Sequence, residues 1–66
     1  MIFIEFPQNL KNLRKLKGIT QAELAEKAGI NYSNIRDYEQ GLREPRFETL
    51  EKIKIALGCS YDDLLK

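Results

Sequence analysis

The chain has 66 residues and a formal net charge of +1, so its overall charge does not by itself indicate a nucleic-acid partner. Its single cysteine excludes an internal disulfide, and the absence of histidine argues against a structural zinc site. No apolar run approaches the ~20 residues of a membrane span and no basic segment opens a signal peptide, so we expect one small cytoplasmic domain over residues 1–66.

Residues 1–6 are predicted to form a short extended arm, because the segment is rich in isoleucine and phenylalanine without helical spacing. Two interpretations of the arm stay open. It packs on the surface of its own domain, or it forms an edge strand that pairs with a second copy of the chain. Pro7 ends the segment and suits the first turn of a helix.

Five short helices are predicted to follow the arm. They cover about residues 7–17, 20–28, 32–40 and 47–57, and a last short helix is capped by Ser60. Leu10, Leu13 and Leu16 recur at helical spacing in the first helix and are expected to face the core. Apolar residues of the other helices are predicted to complete one core.

The segment from Thr20 to Gly41 carries two helix starts in succession. Thr20 is a good N-cap, and Glu23 three residues later completes a capping box. Asn31 can cap the next helix, and Gly29 between the two suits a sharp turn in left-handed backbone. Two short helices fixed at an angle, with the second facing outward, are typical of a helix-turn-helix.

The ordered set of residues along the chain resembles the phage repressor and Cro type of helix-turn-helix, also called the Xre type. The residues that carry the resemblance are Thr20-Gln21, Leu24-Ala25, Gly29-Ile30, Ile35, Tyr38-Glu39, Gly41, Pro45, Leu50 and Ala56-Leu57-Gly58. It implies an all-α, compact five-helix lambda-repressor-like domain with the motif at residues 20–40. It further implies a homodimeric regulator of transcription, a repressor, that binds double-stranded DNA by inserting its recognition helix, residues 32–40, into the major groove of a palindromic operator.

The resemblance also implies roles for individual residues. The base-facing positions of the recognition helix are matched by Tyr32, Ser33 and Asp37, with Arg36 as their exposed neighbour. Positions that meet phosphates in such proteins are matched by Gln21, Asn31, Gln40, Arg43 and Arg46. The position of Gln21 also supports a side chain of the recognition helix in such proteins. Arg14 and Glu39 match an ion pair that joins the first helix to the end of the recognition helix. No cofactor, metal ion or small-molecule ligand is implied.

Asp37 is the hardest of these residues to place beside DNA. A carboxylate near phosphates is costly unless it accepts a hydrogen bond from a cytosine amino group or pairs with a cation. Two interpretations therefore stay open: Asp37 reads a cytosine, or it orients Arg36 or another arginine.

A rival function stands beside DNA binding. A protein-interaction or antitoxin-type module of the same fold would bind DNA weakly or not at all, and the near-neutral charge and Asp37 favour it. Catalysis is not expected, because Cys59 has no neighbouring base to activate it. If the chain dimerises, the interface is expected at the N-terminal arm or at the last helix around Tyr61, Leu64 and Leu65.

Overall fold

The computed structural model describes residues 4–66, and these residues fold into five α-helices joined by short connections. The helices are α1 (Phe6–Leu16), α2 (Gln21–Ala28), α3 (Tyr32–Gln40), α4 (Phe47–Leu57) and α5 (Tyr61–Leu65). Residues 4–66 contain no strand, and the predicted all-α, five-helix fold is confirmed. None of these helices is long and apolar enough to cross a membrane.

The ends of α2 follow the local chemistry of the sequence. The Thr20 hydroxyl accepts a hydrogen bond from the Glu23 amide at 3.0 Å, and the Glu23 carboxylate accepts one from the Thr20 amide at 2.8 Å. Gly29 closes the helix with φ of 68°, in left-handed backbone that costs other residues about 1–2 kcal/mol. This cap and turn set the sharp entry into α3.

The core draws on all five helices. Its buried members are Phe6, Leu10, Leu24, Ala25, Ile35, Tyr38, Leu50, Ile53, Leu57 and Leu64. Complete burial of one large apolar side chain contributes about 1.5–3 kcal/mol, so this cluster supplies most of the driving force for folding. The Asn9 side chain donates to the Leu64 carbonyl at 3.0 Å and so ties α1 to α5.

The predicted N-terminal arm differs from the structure over residues 4–6. Ile4 and Glu5 lie in a turn, and Phe6 is the first residue of α1 with only 1% of its surface exposed. The Phe6 ring packs edge-on against the Tyr38 ring, with centroids 6.1 Å apart. This contact with a buried aromatic ring stabilises Phe6 within the helix rather than in an extended segment. Residues 1–3 of the predicted arm lie outside the described residues.

The expected core role of Leu16 is wrong. Leu16 is 84% exposed, whereas Leu10 on the same helix is fully buried. Leu16 lies six positions after Leu10, which places it about 120° around the helix from that buried residue and off the face that meets the core.

Candidate nucleic-acid interface

The two sides of α3 differ sharply in burial. Ile35 and Tyr38 face the core and are 0% and 4% exposed. Tyr32 and Arg36 point away from the core into solvent. This division follows from the helical period, because residues three apart share a face. The outward side of α3 therefore presents polar side chains on a helix whose opposite side is anchored.

Asn31 and Ser33 form the amino-terminal end of this surface. The Asn31 side-chain oxygen accepts hydrogen bonds from the Ser33 amide at 3.0 Å and from the Ser33 hydroxyl at 2.9 Å. Asn31 thereby caps α3 and fixes the orientation of the Ser33 hydroxyl. The remaining free N–H groups of the first turn and the helix dipole favour an anion at this end.

Farther along α3, three charged residues form an outer charge cluster: Arg36, Asp37 and Arg43. One Asp37 carboxylate oxygen lies 3.4 Å from Arg36 Nη2, and the other lies 3.9 Å from Arg43 Nε. The Asp37 side chain is 21% exposed, against 47% for Arg36 and 57% for Arg43. The cluster thus presents two accessible guanidinium groups over a more sheltered carboxylate.

Behind the end of α3, an inner polar network joins Arg14, Gln21, Glu39 and the Ile19 carbonyl. Arg14 meets the Glu39 carboxylate through two nitrogens, Nε at 2.6 Å and Nη2 at 3.1 Å. Its third nitrogen donates to the Ile19 carbonyl at 2.8 Å, and Gln21 Nε2 donates to Glu39 at 3.1 Å. The network connects α1, the start of α2 and the end of α3.

The other residues assigned to phosphates follow the end of α3. Gln40 is the last residue of that helix, and Arg46 is the N-cap residue of α4. Both are exposed, as is Arg43 between them. Arg43 thus lies beside α3, next to Asp37. Gln40 and Arg46 are exposed at the two ends of the α3–α4 connection.

The Gln21–Glu39 hydrogen bond agrees with the resemblance, which places Gln21 against a side chain of the recognition helix as well as against phosphate. Sequence reasoning missed two other contacts around α3. The first is the hydrogen bond from Arg14 to the Ile19 carbonyl, and the second is the approach of Thr49 on α4 to the Tyr38 phenol on α3. Burial raises the pKa of the Tyr38 phenol, and it outweighs the opposing effects of Arg43 and Thr49. No local signal marks either contact, because each depends on how the helices are placed relative to one another.

A second surface lies on α4 and α5. We call Phe47, Lys54 and Tyr61 the aromatic patch. The Phe47 and Tyr61 rings stack with centroids 5.8 Å apart, and Lys54 Nζ lies 4.9 Å from the Tyr61 centroid. Phe47 is 66% exposed, and Ile55 on the same helix is 69% exposed. Large exposed apolar side chains of this kind are typical of contact surfaces.

Comparison with known proteins agrees with this geometry. The chain is 46% identical to the HTH-type transcriptional regulator YqaE of Bacillus subtilis over 61 residues, which cover 92% of this chain and 53% of YqaE. It is 38% identical to the cryptic phage CTXphi transcriptional repressor RstR of Vibrio cholerae over 61 residues, or 92% of this chain and 54% of RstR. The chain therefore spans about half the length of these curated relatives.

A solved structure and a family model complete the comparison. The fold is similar to the restriction-modification controller protein C.AhdI from Aeromonas hydrophila, with a TM-score of 0.88, 31% identity and 94% of each chain covered. The family model described as Helix-turn-helix matches residues 10–64. The protein therefore belongs to the helix-turn-helix family, within which its resemblance to the phage repressor and Cro type is confirmed.

Proposed function

We propose that this chain is a sequence-specific regulator of transcription, a cytoplasmic repressor, that inserts α3 into the major groove of double-stranded DNA. The observation that carries this proposal is the division of α3 into two sides. Its inward side is fixed by Ile35, Tyr38 and the inner polar network, and its outward side is polar and exposed. A rigid helix with free polar side chains is what the major groove accommodates.

Base recognition falls to the outward side chains of α3. Arg36 uses one nitrogen toward Asp37, so its other guanidinium donors are free to bond guanine O6 and N7. Tyr32 is 47% exposed and can contact a thymine methyl group with its ring. The Ser33 hydroxyl donates its hydrogen to Asn31, so its oxygen remains to accept a hydrogen bond from a base amino group.

Phosphate contacts fall to the two ends of the motif. Gln21 has two amide hydrogens, of which Glu39 accepts one, so the second remains for a phosphate oxygen. Asn31 lies at the start of α3, where free backbone N–H groups also favour phosphate. Past the end of α3, the side chains available to the flanking backbone are Gln40, Arg43 and Arg46.

A dimer on a palindromic site completes the proposal. One recognition helix contacts few base pairs, and two such helices ~34 Å apart reach the same face of DNA one turn apart. The domain measures 26 × 21 × 19 Å, so two copies side by side are of a suitable size. The exposed aromatic patch offers the apolar surface that a two-fold interface needs.

Sedimentation of two matched variants tests the dimer. Phe47→Ser removes an exposed apolar side chain from the aromatic patch, and Leu42→Ser removes one that is 72% exposed in the α3–α4 connection. We expect Phe47→Ser alone to shift the protein toward monomer. If both variants sediment as the wild type does, the aromatic patch is not the dimer interface. The arm is tested by deleting residues 1–3, since deletion of the whole predicted arm, residues 1–6, would take Phe6 from the core.

Selection of bound duplexes from a random DNA pool, followed by salt titration of the selected site, tests the function. We expect one enriched palindromic motif whose affinity falls steeply as salt rises, with a log–log slope of about −0.9 per neutralised phosphate. No enriched motif and no binding at ~50 mM salt would contradict the proposal and favour the protein-interaction module.

A further inference from the structure

Asp37 lies between two arginines that approach it from different parts of the chain. Arg36 precedes it on α3, and Arg43 returns to it from the connection after the helix. Each arginine faces a different oxygen of the same carboxylate, at 3.4 Å and 3.9 Å. One carboxylate thus connects the side chain assigned to a base with a side chain assigned to phosphate.

Helix geometry shows that the contact between Arg36 and Asp37 requires a particular side-chain conformation of Arg36. Consecutive residues of an α-helix point about 100° apart and do not face each other. The Arg36 side chain must therefore bend back over Asp37 to bring Nη2 to 3.4 Å. A long, flexible side chain is restrained by such a contact, which leaves its guanidinium group less free to swing toward the nearest phosphate.

The sheltered position of Asp37 argues against a base contact of its own. Its side chain is 21% exposed, less than half the exposure of either arginine. Both of its oxygens already face cations, so a cytosine amino group would have to share an oxygen with an arginine. Arg36 and Arg43 are the more accessible groups, so they meet DNA first.

We propose that Asp37 is a positioning residue that sets specificity by holding Arg36 toward the base edges and Arg43 toward the flanking phosphates. It does not read a cytosine itself. This inference rests on the proposed DNA-binding function. The carboxylate restrains both guanidinium groups, so that Arg36 stays near the bases and Arg43 stays near the phosphates. Without it, both cations are free to bind any nearby phosphate, and phosphate contacts carry no sequence information.

The test measures base preference at every position of the selected site for four proteins. They are the wild type, Arg36→Ala, Asp37→Asn and the double variant of both residues. The position at which Arg36→Ala loses preference identifies the base pair that Arg36 reads. We expect Asp37→Asn to weaken preference at that same position by about two- to tenfold, in the lower part of the range of coupling between contacting residues. In the Arg36→Ala background, Asp37→Asn should have no further effect there.

A second measurement is the affinity for unrelated duplex DNA. If Asp37 had only a structural role, its removal would not raise this affinity. Asp37→Asn should bind unrelated duplex more tightly than the wild type, with a salt slope steeper by up to about 0.9 for each added phosphate contact. Asp62→Asn is the matched control, because it removes the same single charge from a side chain that is 77% exposed on α5. The control should leave base preference at every position unchanged.

Three results would overturn the inference. The first is loss of preference in Asp37→Asn at a position other than that of Arg36, which would mean direct cytosine readout. The second is an unchanged preference in Asp37→Asn, and the third is loss of all binding, since freed arginines should strengthen non-specific contacts. A wild-type protein that enriches no motif would overturn the proposed function, and this inference with it.

Discussion

Two acidic residues of α3 stand two positions apart and occupy opposite environments. Glu39 is 3% exposed and accepts three hydrogen bonds, two from Arg14 and one from Gln21, at 2.6–3.1 Å. Asp37 is 21% exposed, and its contacts with Arg36 and Arg43 are longer, at 3.4 Å and 3.9 Å. The same helix thus carries a tight inner ion pair and a loose outer one.

This contrast separates structure from function within one helix. A nearly buried ion pair cannot lose one partner without stranding the other charge away from water, so the inner network fixes where α3 lies. An exposed pair contributes about 0–1 kcal/mol, so the outer cluster adds little to the stability of the fold. Its contacts act on the orientation of Arg36 and Arg43 rather than on the position of α3.

The largest expected effect comes from breaking the inner network. Glu39→Gln leaves the Arg14 guanidinium without its counter-ion, and we expect a loss of about 3–5 kcal/mol in the free energy of unfolding. Urea unfolding followed by circular dichroism measures this loss. Asp37→Asn is the matched control on the same helix, and its cost should stay within about 1 kcal/mol. Equal stability of the two variants would remove the distinction between inner and outer pairs.

A smaller effect is expected from Arg43→Ala, which breaks the outer cluster and leaves the inner network intact. Because Arg43 is assigned to phosphate, the variant should bind all duplexes more weakly and its salt slope should fall by about one. Its unfolding curve should match that of the wild type. Loss of preference at a single base pair, with an unchanged salt slope, would instead place Arg43 in the groove.

The smallest effect concerns Tyr38, which lies between the two acids in sequence. Burial raises the pKa of its phenol, so the folded protein holds this proton to higher pH than the unfolded chain does. Stability from this group is complete below the ordinary value of 10.0 and falls as pH rises through the folded pKa. Tyr38→Phe should therefore lose less stability than the wild type between neutral and strongly alkaline pH. Parallel stability profiles for the two proteins would contradict this assignment.

Local chemistry predicts most of the fold. The Thr20 cap with Glu23, the Asn31 cap and Gly29 set the bounds of α2 and α3 within one residue of those observed. These signals act between residues no more than a few positions apart, so the sequence displays them directly. The resemblance added the pairing of Arg14 with Glu39, which lies 25 positions away and which no local pattern indicates.

Tertiary placement explains what the sequence did not reveal. Phe6 looked like part of an extended arm because its burial depends on Tyr38, a residue on another helix. Leu16 was placed in the apolar stripe of α1 by its spacing from Leu13, yet it lies about 120° around the helix from the buried Leu10. Arg43 reaches Asp37 only because the chain turns back after α3. The roles assigned to the outward side chains of α3 remain predictions.

The central claim is that α3 reads guanine from the major groove through Arg36, and methylation interference on the selected site tests it most directly. Methylation of guanine N7 blocks the acceptor that an arginine needs there. We predict that it abolishes binding at guanines in two clusters about 10 base pairs apart, and that Arg36→Ala becomes insensitive to it. Binding that tolerates N7 methylation at every guanine of the site would contradict the account.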